Sequence, residues 1–159
     1  MCGIAGIFDF SDNDINPEIA NRIGASLEHR GPDYSEVQFI KNNVVFIHTR
    51  LAIIDLDQRS NQPFKSKDKR FTIVFNGEIY NFKELKRELD FPFTTESDSE
   101  VIIAAYLKWG LSFVEHLRGM FAIALLDGEK LYLFRDRLGK KPIFYLESNT
   151  AFLFASEIK

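Results

Sequence analysis

The opening stretch MCGIAGIFDF, Met1–Phe10, predicts a strand that begins at the only cysteine of the chain. Methionine aminopeptidases remove Met1 when the next side chain is small, so a mature chain can begin at Cys2, with a thiol and an α-amine on one residue. Because the ordinary pKa of an α-amine is ~7.7 to 8.0, this amine can act as a general base for its own sulfur. Most free cysteines are buried core residues, so position alone leaves an inert, packed Cys2 as the alternative.

The composition is that of one globular domain. The chain has 159 residues, 45% of them hydrophobic and 16 of them phenylalanine. Its 20 basic and 23 acidic residues form no block of either sign, so we expect neither nucleic-acid binding nor a contact with an anionic membrane. No apolar run reaches the ~20 residues of a membrane span and no signal peptide precedes the domain, which predicts a cytoplasmic protein. A single cysteine excludes an internal disulfide, and no cysteine and histidine cluster has zinc-ligand spacing, so no metal site is predicted.

Strand patterns dominate the rest of the chain. After the first strand they are SEVQFI (35–40), VVFIHTRLAII (44–54), KRFTIVFNG (69–77), GMFAIALLD (119–127), KLYLFRD (130–136), KPIFYLE (141–147) and AFLFASEI (151–158). Turn residues at 41–43, 127–128 and 148–149 predict three hairpins. Within KRFTIVFNG, the alternation of Phe71, Ile73 and Phe75 predicts one shared face.

Three longer helices are predicted, each after a start signal. Asn16 predicts the cap of the first and Asn81 precedes the second. Ser97 and Glu100 form a capping-box pattern before the third, VIIAAYLKW, which Gly110 ends. The apolar positions expected to face the core are Ile19, Ile23 and Leu27 in the first helix and Phe82, Leu85 and Leu89 in the second. The third is apolar around a wide face and is therefore expected between a sheet and another layer.

A short helix is also predicted at 112–117. Together, many hairpins and a few helices predict an α+β domain in which helices cover an antiparallel sheet pair.

Five motifs accompany the N-terminal MCGIAGIF: HRGPD (29–33), HTRLAIID (48–55), FNGEIYN (75–81), TESDSE (95–100) and RDRLGKKPIFY (135–145). In this order they resemble the class II glutamine amidotransferases. The pairing of HRGPD with FNGEIYN and the closing FASEIK is similar to the N-terminal glutaminase domain of glutamine-hydrolysing asparagine synthetase, and fits this branch better than the purine-pathway enzymes or glucosamine-phosphate synthase. The resemblance implies that residues 1–159 form one glutaminase domain with the fold of amino-terminal-nucleophile hydrolases, a four-layer αββα sandwich of two antiparallel sheets covered by helices.

The resemblance also implies the chemistry of the reaction. Cys2 would be the nucleophile, its amine would carry the proton to the departing ammonia, and water would then hydrolyse a γ-glutamyl thioester. The side-chain amide of Asn76 and the N–H of Gly77 would hold the oxyanion. Without the other motifs, an Asn-Gly pair would more often be an ordinary tight turn.

The same resemblance assigns the two charged ends of L-glutamine. Arg50 would bind the carboxylate in two parallel hydrogen bonds, and Glu78 and Asp98 would lie around the ammonium. Backbone groups near Ile53 would also hold the substrate. Taken alone, Arg50 reads as a solvated strand residue, Glu78 as a surface charge and Asp98 as a partner of a helix dipole.

Several charged residues are expected to have plain structural roles. His48 is interpreted as a packing residue, since an N-terminal amine makes a histidine base unnecessary. The role of HRGPD stays open, beyond a place near the site. The residues 135–139 are interpreted as a charged turn, and Lys140 and Lys141 as solvated.

Partners and cofactors follow from the family. Full-length asparagine synthetases continue into an ATP-dependent domain, with ATP and Mg²⁺, that receives the ammonia; nothing of it is expected in these 159 residues, and the glutaminase domain itself is expected to need no cofactor. Such domains also often pair, so a homodimer is possible. Two alternatives stay open: another acceptor, such as a sugar in polysaccharide synthesis, or a non-catalytic glutamine-binding or assembly module, which a retained Met1 would favour.

Overall fold

A computed structural model describes residues 1–11 and 13–158. Asp12, and Lys159 at the end of the FASEIK motif, lie outside the described residues. The strands are β1 (Gly3–Asp9), β2 (Tyr34–Lys41), β3 (Val44–Arg50), β4 (Phe64–Lys65), β5 (Phe71–Ile79), β6 (Gly119–Asp127), β7 (Lys130–Arg135), β8 (Phe144–Glu147) and β9 (Ala151–Ala155). The helices are α1 (Pro17–Leu27), α2 (Phe82–Glu88), α3 (Asp98–Trp109) and α4 (Phe113–His116).

The strands form two antiparallel sheets, in the orders β2-β3-β1-β9-β8 and β4-β5-β6-β7. The three predicted hairpins are present as β2-β3, β6-β7 and β8-β9. β1 lies at the centre of its sheet because β3 and β9 pair with its two edges. Since Gly3 is opposite Thr49, Cys2 lies at the end of the sheet, beside the residues that follow β3.

Alternation along the strands produces four layers. On one face of the first sheet, Val45 and Ile47 pack against α1. On its other face, Phe46 packs against Val74 and Ala124 of the second sheet. The residues Phe71, Ile73 and Phe75 share the outer face of the second sheet, where they pack against α3 and its neighbours. The predicted αββα sandwich is confirmed.

The predicted core-facing stripe of α1 is right for Ile23 and Leu27, which pack against the core, and wrong for Ile19. Asn16 caps the helix as expected, accepting a hydrogen bond from the Glu18 N–H at 2.8 Å. Ile19, however, is 49% exposed, whereas Ala20 is fully buried. The buried residues of α1 are Ala20, Gly24 and Leu27. The small side chain of Ala20 and the absence of one at Gly24 let the helix lie close to the sheet.

Both of the other start signals work differently from the prediction. Asn81 makes no capping bond to α2; its amide donates to the His116 carbonyl at 3.0 Å and its oxygen accepts from the Arg118 N–H at 2.9 Å. Ser97 does cap α3, through the Ser99 N–H at 3.1 Å. The reciprocal half of the capping box is wrong, because the carboxylate of Glu100 accepts from the backbone and hydroxyl groups of residues 94 and 95 instead.

The strand predicted over 44–54 ends earlier, at Arg50. There the HRGPD segment approaches it: Pro32 forms a parallel bridge with Arg50, and the Asp33 N–H donates to the Arg50 carbonyl at 3.0 Å. The chain beyond β3 therefore leaves the sheet as a loop, residues 51–61, which borders the site described below. Among the described residues, no helix is both long and apolar enough to cross a membrane.

Candidate active site

The predicted site residues meet in one cleft of about 460 Å³ at the end of the two sheets. Those that line it are Cys2, Arg50, Ile53, Asn76, Gly77, Glu78 and Asp98. A larger cavity of about 600 Å³ lies between apolar side chains such as Leu133 and Phe152, and the described part of its lining contains none of the predicted residues. We place the site in the smaller cleft because the convergent polar groups are there.

Cys2 immediately precedes β1 and is held by the loop beside it. Its Sγ accepts a hydrogen bond from the Leu51 N–H at 3.4 Å and lies 3.7 Å from the Leu51 carbonyl oxygen. Burial raises the pKa of the thiol above its ordinary value, although the Leu51 backbone, the chain terminus and Arg50 act in the opposite direction. The thiol is therefore protonated at neutral pH, and a reaction through it needs a base.

Arg30, in the HRGPD motif, fixes the backbone of Cys2. Its Nε donates to the Cys2 carbonyl at 3.0 Å and its Nη1 donates to Glu157 at 2.6 Å. The next residue, Gly31, lies against the backbone of Thr49. A Cβ on residue 31 would lie 2.4 Å from that backbone, so only glycine lets the two segments approach this closely. The motif, whose role the sequence leaves open, thus holds the backbone of Cys2 in place.

Asn76 lies on the face of β5 that points toward the first sheet, and it is 1% exposed. Its Nδ2 has no hydrogen-bond partner among the described residues. An unpaired buried amide donor costs about 1–3 kcal/mol, so an oxygen placed in the cleft would remove a real penalty. This is the property expected of an oxyanion donor in a site without substrate.

The N–H of Gly77 lies on the edge of β5 that faces away from β6. In an antiparallel pair, alternate residues direct both backbone groups to the same edge of the strand. The Phe75 N–H is bonded by Gln62 and the Ile79 N–H by Asp98, so Gly77, which lies between them, also points away from β6. Glycine is required here because a Cβ would lie 2.2 Å from the Met120 carbonyl oxygen, not because a substrate would meet it.

Arg50 is 7% exposed and already holds the loop 51–61. Its Nη1 donates to the side-chain oxygen of Asn61 at 2.5 Å and to the Asp57 carbonyl at 3.2 Å, and its Nη2 donates to the Asp55 carbonyl. Of the five N–H donors of arginine, the Nε donor and one on Nη2 have no partner among the described residues. These two donors remain available to an acceptor such as a carboxylate.

Asp55 organises the same loop. Its carboxylate accepts from the Ser60 hydroxyl at 2.6 Å and from the Glu96 N–H at 2.8 Å, joining the HTRLAIID and TESDSE motifs. Ile53 lies on this loop and is 64% exposed. Nothing local in the sequence indicates this role of Asp55, the last residue of HTRLAIID.

Two carboxylates, those of Glu78 and Asp98, also line the cleft. Asp98, 5% exposed, accepts from the Ile79 N–H at 3.0 Å. Burial raises the pKa of Asp98 to about 6, and the nearby charge of Glu78 adds to the increase. A pair of carboxylates with little water around them favours a bound cation, which would lower this pKa again.

The remaining histidine and charged-turn predictions have mixed outcomes. His48 is fully buried on the inter-sheet face of β3, and burial lowers its pKa to about 3 although the Phe75 carbonyl nearby raises it, so the ring is neutral. Lys140 is exposed as predicted, but Lys141 is 6% exposed and lines the cleft, so its assignment as a solvated residue is wrong.

The loop before Lys141 explains its burial. Asp136 accepts from the N–H groups of Phe121, Leu138, Lys140 and Lys141 at 2.9–3.1 Å, which folds residues 136–141 inward. Other cleft-lining residues that the sequence did not reveal are Ser60, Gln62, Ser97, Ser99 and Met120. In the described chain, no group of three or more histidine, cysteine or acidic residues could hold a metal ion.

Comparison with known proteins agrees with this geometry. Residues 1–159 match the family described as glutamine amidotransferase domain. Glutamine-hydrolyzing asparagine synthetase 3 of Bacillus subtilis is 41% identical over 167 residues, covering 100% of this chain and 27% of that protein. Amidase chry2 of Gibberella zeae is 37% identical over 174 residues, covering 100% of this chain and 26% of that protein. This chain thus spans about a quarter of the length of these curated relatives.

A solved structure shows the same fold. Glutamine phosphoribosylpyrophosphate amidotransferase from B. subtilis superimposes with a TM-score of 0.79 and 22% identity, over 98% of this chain and 42% of that one.

Proposed function

Because the chain belongs to the class II glutamine amidotransferase domain family, we propose that it hydrolyses L-glutamine to glutamate and ammonia through a thioester on Cys2. The observation that carries the proposal is the cleft itself. Its lining includes a thiol, the Asn76 amide and the Gly77 backbone, an arginine and two carboxylates, and this set supports the proposal. Free glutamine has an amide, a carboxylate and an ammonium, and each finds a matching group.

The first half of the reaction forms the thioester. Once Met1 is removed, the free amine of Cys2 takes the thiol proton, directly or through one water, and Sγ attacks the side-chain amide carbon of glutamine. The carbonyl oxygen becomes an oxyanion that Asn76 Nδ2 and the Gly77 N–H stabilise. The protonated amine then gives its proton to the nitrogen as the C–N bond breaks, and ammonia leaves.

The second half regenerates the enzyme. Water attacks the γ-glutamyl thioester while the amine accepts its proton, and the same two donors hold the second oxyanion. The C–S bond then breaks, the proton returns to sulfur, and glutamate is released. Arg50 holds the substrate carboxylate throughout, and Glu78 and Asp98 hold its ammonium.

A nucleophile variant tests the proposal. Cys2→Ala keeps the small side chain and should abolish ammonia release, whereas it should leave glutamine binding measurable by calorimetry. Wild-type glutaminase activity in Cys2→Ala would contradict the assignment. Intact mass belongs to the same experiment, because the mechanism requires a protein lighter by one methionine; full retention of Met1 in the native host would instead support the non-catalytic glutamine-binding alternative.

We propose asparagine synthesis as the use of the ammonia, since glutamine-hydrolyzing asparagine synthetases of B. subtilis are 41% and 42% identical to this chain. An ATP-dependent synthetase domain would then be the acceptor. A second candidate rests on the relatives named amidases, at 37% identity, which permit another acceptor. Cells fed amide-labelled ¹⁵N-glutamine decide between them: Cys2→Ala should remove the label from asparagine if the first proposal is right, and from another amidated product if the second is.

A further inference from the structure

The side chain of Gln62 forms hydrogen bonds to the backbone of β5 at Phe75, immediately before the Asn76-Gly77 pair. It is 6% exposed and lines the cleft. Its Oε1 accepts from the Phe75 N–H at 2.6 Å, and its Nε2 donates to the Phe75 carbonyl at 3.2 Å. One side-chain amide therefore satisfies both backbone groups of one residue, as a neighbouring strand would.

The reason lies in the short strand beside it. β4 pairs with β5 at Phe64 opposite Ile73 and at Lys65 opposite Thr72. Continuing that register would put residue 62 opposite Phe75, at the next hydrogen-bonding position of the pair. The two strands pair only at residues 64 and 65, and the side chain of Gln62 takes the place of a main-chain partner for Phe75. Both Gln62 and Phe75 line the cleft.

The edge of β5 that faces away from β6 is held at two points. Phe75, Gly77 and Ile79 direct their backbone groups to the same edge. Gln62 holds Phe75 and the Asp98 carboxylate holds Ile79, so the N–H of Gly77 is bracketed by two side-chain contacts. Any rotation of the strand about its axis would tilt the Gly77 N–H and swing the Asn76 amide at the same time.

Gln62 also forms a hydrogen bond to the first turn of α3. Its Nε2 lies 3.3 Å from the Ser99 hydroxyl oxygen as a second hydrogen-bond donor. Ser99 is in the first turn of α3, next to Asp98. The same side chain thus ties the strand that carries the amide-reading donors to the helix that carries an ammonium-binding carboxylate.

We propose that Gln62 is a positioning residue for the oxyanion donors: it sets the orientation of the Asn76 amide and the Gly77 N–H without itself touching the substrate. This inference rests on the proposed glutaminase function. Gln62 would therefore affect the stability of the transition state and not the binding of glutamine, because the oxyanion exists only in the tetrahedral intermediates. Loss of Gln62 should therefore reduce kcat much more than it changes KM.

The first test is Gln62→Leu, which keeps the approximate volume and removes both hydrogen bonds. We expect kcat to fall about 10- to 100-fold, in line with the loss or misplacement of one oxyanion donor, and KM to change by less than about threefold. Val45→Ala is the matched control, since Val45 is fully buried in the layer between β3 and α1. At comparable loss of stability in a urea titration, the control should keep the wild-type kcat.

The second test is Gln62→Glu, which distinguishes positioning from packing. Ionised, the new carboxylate accepts from the Phe75 N–H but repels the Phe75 carbonyl; protonated, it can restore both hydrogen bonds. The ratio of variant to wild-type kcat should therefore rise as the pH falls from about 8 to 5. Titratable groups in the same cleft are Cys2, Arg50, Glu78, Asp98, Lys140 and Lys141, and His48 lies behind Phe75; the ratio to wild type removes their shared effect.

The outcomes separate this inference from the proposed function. An inactive wild-type protein with Met1 removed would sink the glutaminase proposal itself. An active wild type, with a Gln62→Leu variant that keeps kcat within about threefold or loses only KM, would overturn the positioning role alone. If Gln62→Leu fails to fold, the pH ratio of Gln62→Glu decides, and a flat ratio overturns the inference.

Discussion

At the residue scale, the cleft contains hydrogen-bond donors of two kinds: some have no partner among the described residues, and others already bind the protein's own backbone and side chains. The Asn76 Nδ2 has no partner among the described residues, whereas three donors of Arg50 hold the loop 51–61. Arg50 thus shapes the cleft and keeps two donors without a partner among the described residues. Under the proposed function, these groups are held in position before glutamine binds, which is what electrostatic preorganisation requires.

Asp98 allows a prediction in which stability and binding oppose each other. Its folded-state pKa of about 6 lies above the ordinary value, so the folded protein binds this proton more tightly than the unfolded chain. The resulting stability is fully present at acid pH and is lost as the pH rises from about 4 through about 6. At neutral pH the ionised, buried carboxylate therefore destabilises the fold, and under the proposed function the ammonium of glutamine would offset this cost.

Asp98→Asn should show both effects. We expect the glutamine-free variant to be more stable than wild type at pH 7.5, by up to about 2 kcal/mol, and the difference to vanish near pH 4. The KM for glutamine should rise, because a neutral amide replaces the charge that pairs with the ammonium. Urea titrations at the two pH values and initial rates measure the two effects. Asp90→Asn, an exposed site, is the control; a variant less stable than wild type at pH 7.5 would contradict the prediction.

The residues that sequence analysis missed share one property: their roles depend on distant partners. Cys2, Asn76 and Asp98 belong to recognisable motifs, so their places could be predicted. Gln62 acts on Phe75, and nothing local in RSNQPF indicates that contact. Adjacent lysines are usually solvated, and only the turn around Asp136 buries Lys141.

At the element scale, the loop 136–141 is the clearest case of backbone held by one carboxylate. Asp136 is 6% exposed. Burial alone would raise its pKa, but the N–H groups of residues 141, 140, 121 and 138 together lower it. Since the folded-state pKa is depressed, this stability is present above the ordinary pKa of aspartate and is lost as the pH falls through the folded value.

Asp136→Asn should therefore destabilise the fold at neutral pH. Because hydrogen bonds to a charged group are the strong ones, we expect a loss of about 1–3 kcal/mol at pH 7. The difference should shrink in acid, where the wild-type carboxyl is also neutral. Urea unfolding at both pH values is the measurement, and Asp90→Asn again serves as the exposed control. Equal stability of Asp136→Asn and wild type at pH 7 would mean that the loop does not depend on the charge.

Elements defined by local chemistry were predicted better than the order in which they pair. The three hairpins and the start of α1 follow from turn residues and an Asn-Pro-Glu cap, which act over a few residues. The insertion of β1 between β3 and β9 joins the two ends of the chain, and no periodicity encodes it. Similarly, Ile19 fits a helical stripe as well as Ala20 does, and only the sheet beneath α1 decides between them.

At the scale of the whole molecule, one edge of the first sheet is open. β8 is its last strand, and Tyr145 and Leu146 on it are 69% and 64% exposed. Next to them, Ile158 is 78% exposed, and the three belong to one apolar cavity wall with Leu153. An exposed apolar edge strand is a template for pairing with another chain. Curated relatives are about four times as long as this chain, so in them other protein is present that could cover such a surface.

We therefore expect the domain alone to self-associate through the edge at β8. Its weight-average mass in sedimentation should rise with concentration over the micromolar range. Leu146→Lys should abolish this rise, because it places a charge within the apolar surface, and it should leave glutaminase activity unchanged, since Leu146 is outside the cleft. Glu147→Lys is the control: it adds a lysine to the same strand outside the apolar wall and should keep the rise. A separately expressed synthetase domain, if it shares this surface, should dissociate the assembly. A domain that stays monomeric at every concentration and ignores that partner would show that the edge has no such use.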